Sequence, residues 1–150
     1  RNTWPVVSDD SEHRYRDEVR RSITDIDWSG WEQTISDRGI TLGRPRDSAH
    51  PTLSEIIYPI DYGYVNGTLG QDGEEVDVFV GTADVGLVAV IVTVDHRKRD
   101  VEHKLLLNCS PAEVYLVNGF INFDRTRMEG TLVMRRPMKE LWDRMRSRRG

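Results

Sequence analysis

Acidic residues crowd into one short stretch of this 150-residue chain. Asp72, Glu74, Glu75 and Asp77 lie just before or at the start of the strand-like run 76–80. Their mutual repulsion disfavours the cluster unless a cation neutralises it, and hard divalent cations such as Mg²⁺ prefer oxygen ligands. Asp-Gly pairs are also common in ordinary turns, so the stretch favours a cation site without excluding a simple turn.

A second acidic pair strengthens this interpretation. Asp95 and Asp100 stand on either side of the polar turn 96–99. If the apolar runs before and after that turn form a hairpin, the two carboxylates face each other across its open end. Should the strand after the first cluster lie beside this hairpin, four or five carboxylates would converge.

Other common chemistries lack their sequence patterns. The chain has no glycine-rich phosphate loop, no EF-hand calcium loop, no cysteine and histidine spacing typical of zinc, and no Gly-x-Ser-x-Gly nucleophile motif. Paired carboxylates for sugar hydrolysis remain compatible with the sequence, but no aromatic-rich groove favours a carbohydrate.

Hydrophobic spacing predicts the elements that position these acids. Ser110, Pro111 and Glu113 form a helix-start pattern in which serine caps and glutamate reaches back. The predicted helices are 10–26, 110–121 and one from 138 onwards, and the predicted strands are 56–58, 76–80, 87–94, 101–107 and 131–134. Residues 37–39 read as a turn between short β segments within 35–42. The pattern predicts a single domain over residues 1–150, mainly β with flanking helices (α+β).

Composition indicates an ordinary globular protein, with 37% hydrophobic and 31% charged residues. No apolar run is long enough to span a bilayer, and residues 1–5 lack the apolar core of a signal peptide. The single cysteine, Cys109, cannot form an internal disulfide, which favours a reducing compartment. We therefore expect a cytoplasmic protein without a membrane partner.

One stretch carries a family resemblance. Residues 58–81, YPIDYGYVNGTLGQDGEEVDVFVG, resemble the signature region of the soluble inorganic pyrophosphatases. That family shows Tyr-Pro-x-Asn-Tyr-Gly-Tyr, a short loop and then Asp-Gly-Asp-x-x-Asp-Val, and the spacing here matches without a gap. Asp95 and Asp100 resemble the family's second acidic pair, which is also five residues apart. The resemblance extends over about residues 56–107.

The resemblance implies a fold and an activity. The fold would be a small closed barrel of the oligonucleotide-binding type with helices at both ends. The activity would be Mg²⁺-dependent hydrolysis of inorganic pyrophosphate to two phosphates by a metal-activated water. Asp72, Asp77 and Asp100 would hold the tighter metal pair, with Asp77 bridging, and Asp95 would bind metal that arrives with the substrate.

The resemblance also assigns substrate and catalytic roles. Tyr58 and Tyr62 would border the phosphate site. Glu74 stands where the family has an aspartate that accepts a proton from the attacking water, so Glu74 and Asp77 are the catalytic candidates. One extra methylene moves the Glu74 carboxylate, and misplacement of about 1 Å can cost about 100-fold in rate.

The phosphate-binding part departs from the family pattern. The family's strand with Lys-Tyr-Glu and a following arginine is missing, and Arg44, Arg46 or His50 would have to replace its contacts. We take Arg46 as a substrate contact. The family's lysine two residues after the last aspartate is Glu102 here, whereas Lys104, on the same face of a strand, would reach the phosphate or pair with Glu102.

These departures leave alternatives open. The chain could hydrolyse another small phosphoanhydride or phosphate ester, or be a catalytically weak metal-binding relative. The arginine-rich segment from Arg135 onwards could contact nucleic acid, but a solvated helix face is the commoner explanation. The acidic cluster argues against binding of single-stranded nucleic acid across the face that carries these acids. The sequence does not decide whether the chain forms a homo-oligomer.

Overall fold

The structure, a computed structural model, describes residues 9–70 and 73–149, with side chains described in 15–70 and 73–147. The described residues form four helices and six strands in chain order. These are α1 (Asp9–Thr24), α2 (Trp28–Arg38), β1 (Ile40–Arg44), β2 (Asp61–Val65), β3 (Asp77–Val80), β4 (Leu87–Asp95), β5 (Asp100–Leu107), α3 (Pro111–Asn122), β6 (Met128–Met134) and α4 (Met138–Arg149).

All six strands belong to one mixed sheet with the order β1-β2-β3-β5-β4-β6. Every neighbouring pair is antiparallel except β3 and β5, which are parallel. The predicted α+β class is therefore confirmed. Closure into a barrel is not confirmed, because β1 and β6 end the strand order and no pairing joins them among the described residues.

The sheet buries two apolar faces because its strands alternate side chains between them. On one face, the β-branched residues of β4 and β5 pack with β3 against α1 and α2. The buried members of this cluster are Val65, Val76, Val78, Leu87, Val90, Val92, Val94, Val101 and Leu105. Tyr15, Val19 and Ile23 of α1, at helical spacing, cover this face.

The opposite face divides into an apolar part and a polar part. Phe79, Ile91 and Leu106 pack there with Val117 of α3 and Leu141 of α4. Strand alternation places the predicted acids on this same face, beyond the area that the two helices cover. The fold therefore sets the chemistry-bearing residues beside a packed apolar layer.

Two of the predicted elements were wrong, and both errors lie near the first strands. Residues 28–38 form helix α2, whose first turn is capped by Asp27 through the amide of Gly30. Gly39 ends the helix with φ of 76°, and its amide donates to the carbonyl of Ile35. Residues 37–39, predicted as a turn between short β segments, are the end of helix α2, because glycine is common both in turns and at helix ends.

The segment 56–58 makes only an isolated bridge between Ala49 and Ile57, and the strand lies instead at Asp61–Val65. The other predicted helices and strands are confirmed, although β6 begins three residues earlier than predicted, at Met128. Among the described residues, no helix combines the length and apolar character needed to cross a membrane.

Helix α3 begins with the predicted capping box. Ser110 Oγ accepts the amide of Glu113, and Glu113 Oε1 accepts the amide of Ser110 at 3.0 Å. The same carboxylate also accepts the amide and the hydroxyl of Thr82, at 3.1 Å each, although Glu113 is only 6% exposed. One buried carboxylate thus joins the start of α3 to the loop after β3.

Replacing Glu113 with alanine should destabilise the fold by about 2 to 3 kcal/mol, because buried donors lose a charged acceptor. Urea unfolding followed by circular dichroism measures the change. Glu140→Ala, on the exposed surface of α4, is the matched control and should cost less than about 0.5 kcal/mol. Equal losses in the two variants would contradict the role of the buried carboxylate.

Candidate functional site

The centre of the site is a buried ion pair. Lys104 Nζ lies 2.7 Å from Asp77 Oδ2 and 3.4 Å from Glu102 Oε2, and the lysine side chain is only 8% exposed. The parallel register of β3 and β5 sets Asp77 opposite Lys104. Glu102 precedes Lys104 by two residues, so it projects from the same face. Two carboxylates therefore converge on a single ammonium group.

The charge state of this centre follows from its surroundings. Burial, the largest effect, would lower the pKa of Lys104, but the negative charges that Tyr62, Asp77 and Glu102 can carry outweigh it and raise the pKa above its usual value. Burial raises the pKa of Tyr62, Lys104 opposes the rise, and Asp77 adds to it. At neutral pH Lys104 is therefore an ammonium ion, and Tyr62 is a neutral phenol beside Asp77.

The two predicted tyrosines form one wall of the site. Tyr58 and Tyr62 meet edge to face with centroids 5.1 Å apart, and Tyr62 meets Phe79 in the same way at 4.8 Å. The ring centroid of Phe120, on α3, lies 5.1 Å from that of Tyr58. Such aromatic contacts each add about 0.5 to 1.5 kcal/mol beyond area burial. The Tyr62 hydroxyl is therefore held beside Asp77 by a rigid aromatic cluster.

An arginine lies against the other side of this wall. Arg44 is opposite Tyr62 in the β1–β2 register, and its guanidinium carbon is 5.2 Å from the Tyr58 ring centroid and 5.5 Å from that of Tyr62. It donates a hydrogen bond to the Tyr58 hydroxyl. Lys104 Nζ lies 5.8 Å from the Tyr62 ring. Tyr62 is thus within cation–π range of both cations.

The second predicted acidic pair lies further along the same face. Asp95 and Asp100 are register partners, as predicted, but they lie at the turn end of the β4–β5 hairpin and not across its open end. Asp95 Oδ1 accepts the turn amides of Arg97 and Lys98, at 2.9 and 3.0 Å. Asp100 precedes Glu102 by two residues on β5, so the two residues are about 7 Å apart along the strand. The structure therefore brings Asp77 together with Glu102 and Lys104, and brings Asp95 together with Asp100.

Three other predicted site residues contribute less to the described geometry. Glu74 is exposed at the end of the loop before β3. The side chain of Arg46 is exposed, while its backbone amide donates to Asp61 Oδ1 at 2.9 Å. Asp72 lies outside the described residues, so the prediction made for it has no structural counterpart here.

A cavity of about 220 Å³ adjoins the ion pair. Its lining includes Glu75, Asp77, Glu102 and His103, with Trp31 of α2 on one side. A larger cavity, of about 450 Å³, lies between β6 and α4 and carries Arg135, Arg136 and Arg144 with a single acid, Glu140. The smaller cavity is the better candidate for cation chemistry because three carboxylates border it.

Sequence reasoning undervalued Glu102 and Arg44. The sequence allowed a pairing of Lys104 with Glu102, and the strand register adds Asp77 to the same cation. The available signal was the two-residue interval between Glu102 and Lys104. In the part of the chain whose side chains are described, no group of three or more histidine, cysteine, aspartate or glutamate side chains has the arrangement of a metal centre.

Comparisons with known proteins bear on the family and the fold of this chain. The family model described as Inorganic Pyrophosphatase matches residues 24–118. No curated protein sequence gives a significant match. The structure of an inorganic pyrophosphatase from Coxiella burnetii is 15% identical, with a TM-score of 0.51 over 69% of this chain and 89% of that one. At that identity the likeness supports the fold alone.

Two further solved structures give lower TM-scores. An inorganic pyrophosphatase from Neisseria gonorrhoeae is 16% identical, with a TM-score of 0.49 over 62% of this chain and 80% of that one. The enzyme from Helicobacter pylori is 17% identical, with a TM-score of 0.45 over 74% and 92%. Because the family model covers more than half of the chain, the chain belongs to the inorganic pyrophosphatase family.

Proposed function

We propose that this chain hydrolyses inorganic pyrophosphate to two phosphates at the site centred on Asp77. The observation that carries the proposal is the convergence of Asp77 and Glu102 on one cation, beside a tyrosine wall with an arginine on it. Pyrophosphate carries several negative charges and needs cations on more than one side. This arrangement provides acids that can hold cations and, next to them, a cationic side chain for the anion.

Mg²⁺ is the cofactor that we propose. The residues fit it by their donor chemistry, because Asp77 and Glu102 already hold a cation, the Lys104 ammonium, through carboxylate oxygens. We propose Asp77 and Glu102 as its ligands from the geometry, and Asp72 from the sequence resemblance alone. Asp95 and Asp100, further along the face, would serve ions that accompany the substrate. Bound there, Mg²⁺ would supply activation of a water molecule and neutralisation of phosphate charge.

The chain's own side chains would then have distinct tasks. The neutral hydroxyls of Tyr58 and Tyr62 can each donate one hydrogen bond to a phosphate oxygen. Glu74, exposed at the end of its loop, is our proposed acceptor of the proton from the attacking water. Lys104, once Asp77 and Glu102 bind another cation, is positioned to contact the phosphate with its ammonium group.

Another small phosphoanhydride or phosphate ester is the second candidate substrate. It is favoured by the segment 45–60, which borders Arg44 and folds back on itself through one isolated β bridge and a few backbone hydrogen bonds. This edge of the site therefore lacks the regular paired strands of the edge formed by β3 and β5. A panel of phosphate compounds separates the candidates, because pyrophosphate must then be hydrolysed more slowly than the competing compound.

Asp77→Asn should lower turnover of pyrophosphate by at least about 100-fold, because the amide cannot supply the charge on which cation binding depends. Phosphate release is measured with Mg²⁺ and again with EDTA, after circular dichroism has verified folding. Asp37→Asn, on the exposed surface of α2, is the matched control and should keep its turnover. Unchanged turnover in Asp77→Asn would contradict this location of the active site.

Lys104→Met tests whether a metal ion and the lysine compete for the same carboxylates. Without the ammonium, the carboxylates of Asp77 and Glu102 lose a shared cation and repel each other, so the variant should be about 1 to 3 kcal/mol less stable in EDTA. Mg²⁺ should then stabilise the variant more than the wild type, because nothing has to be displaced. Thermal unfolding with and without Mg²⁺ measures both effects.

The control for that experiment is Lys139→Met, which removes an exposed lysine of α4 that pairs with Asp143. Its stability should change by less than about 0.5 kcal/mol, with the same Mg²⁺ response as the wild type. Equal stabilisation of the wild type and Lys104→Met by Mg²⁺ would show that the ion does not bind between these carboxylates.

A further inference from the structure

We infer that the larger cavity, between β6 and α4, binds a small organic anion in which one phosphate group is joined to an apolar body. The cavity has a volume of about 450 Å³, which is within the usual range of small-molecule sites. In the sheet, β4 separates β6 from β5, the strand that carries Glu102 and Lys104. The cavity is therefore distinct from the site proposed for hydrolysis, and the inference does not depend on that proposal.

The floor of the cavity is apolar and is held in place by backbone hydrogen bonds. Its buried members are Val85, Leu87, Val88 and Leu141. Asn108 Oδ1 accepts the amides of Val85 and Gly86, at 3.2 and 2.9 Å, and so fixes the loop before β4. The amide of Arg135 donates to the carbonyl of Val88 at 2.9 Å and fixes the end of β6. The apolar surface is therefore formed before any ligand binds, which lowers the entropy cost of binding.

Three arginines, Arg135, Arg136 and Arg144, form the rim of the cavity. Arg144 is four residues after Glu140 on α4, so both side chains lie on the helix face that borders the cavity. Arg136 Nη1 is 3.9 Å from Glu140 Oε2, and the two side chains are 71% and 54% exposed. Because an exposed pair at that distance is weak, Glu140 leaves most of the donors of Arg136 available to an anion.

The other two arginines of the rim contact the protein in different ways. Arg135 pairs with Glu32 of α2, which fixes its guanidinium at the edge of the cavity. Arg144 Nη1 donates to the carbonyl of Val85 at 3.4 Å, and no ion pair among the described side chains includes Arg144. Arginine has five N–H donors and stays charged at physiological pH. Arg136 and Arg144 therefore both have donors for a bidentate contact with phosphate oxygens.

Charge and shape together indicate the class of ligand. The three arginines pair with two carboxylates, Glu32 and Glu140, so the rim keeps a positive charge although the chain has a net charge of −4. Inorganic phosphate would contact the rim alone and leave the apolar floor in water, which is unfavourable. A phosphate monoester with an aryl or short alkyl body fits both parts, because the phosphate meets the arginines while the body covers the floor.

The test measures binding of phenyl phosphate by calorimetry in EDTA, which removes the divalent cations that phosphate would need at the acidic site. Arg144→Gln should weaken binding by about 10-fold, the usual loss for a hydrogen bond between charged groups. Arg144→Lys, which keeps the charge but not the planar fork, should recover part of the affinity. Lys139→Gln, which removes an exposed cation of α4 outside the cavity lining, should match the wild type. Circular dichroism verifies the folding of each variant.

A variant of the floor separates apolar recognition from simple attraction of anions. Met134 is a half-buried member of the lining, and glutamine matches the length of its side chain. Met134→Gln should weaken binding of phenyl phosphate by about 3- to 10-fold and leave binding of inorganic phosphate unchanged. Inorganic phosphate should bind the wild type about 10-fold more weakly than phenyl phosphate does, because it buries no apolar area.

Several results would overturn the inference. These are no binding of phenyl phosphate to the wild type, wild-type affinity in Arg144→Gln, an equal loss in Lys139→Gln, and equal affinity of the wild type for phenyl phosphate and inorganic phosphate. Arg44→Gln tests the location, because a loss there as large as in Arg144→Gln would place the probe at the tyrosine wall instead. A wild type that binds phenyl phosphate through Arg144 but releases no phosphate from pyrophosphate would uphold this site and refute the proposed hydrolysis.

Discussion

The buried ion pair that Lys104 forms with Asp77 and Glu102 is the interaction on which the site depends. Removing an ammonium group from water costs several kcal/mol unless opposite charges compensate it, and two carboxylates do so here. The pair forms only if β3 and β5 are parallel and in their observed register. The site is therefore built on central strands, which hold side chains more rigidly than loops do. Its charges in turn favour that register over a shifted one.

The second constraint is the close approach of β1 to β2. A side-chain carbon on Gly63 would lie 2.0 Å from the carbonyl oxygen of Thr41, so β1 can pair at this distance only because residue 63 is glycine. This pairing sets Arg44 opposite Tyr62. The tyrosine-glycine-tyrosine motif thus has a structural role besides presenting hydroxyls, since it admits the strand that carries the arginine to the aromatic wall.

Much of this arrangement could be predicted from the sequence, and the failures share a physical cause. The α3 capping box, the tyrosine pair and the position of Asp77 follow from local patterns. Helix α2 was missed because a glycine that ends a helix and a glycine in a hairpin turn look alike locally. The contact between Lys104 and Asp77 was not predicted, because register between parallel strands is a long-range property. Spacing along one strand does not reveal which residue faces Asp77 on another.

The two halves of the site are tied to folding to different degrees. Substituting Asp77 or Glu102 leaves the Lys104 ammonium with one of its two carboxylate contacts, so a change there costs stability. Arg46, in the segment before β2, has an exposed side chain, so substituting it has little effect on the sheet, whereas Tyr58 and Ile60 of the same segment belong to the core. The acidic centre on β3 and β5 is therefore less tolerant of substitution than the exposed positions of the segment 45–60. This difference follows from burial and charge pairing and not from the distance of a residue from the acids.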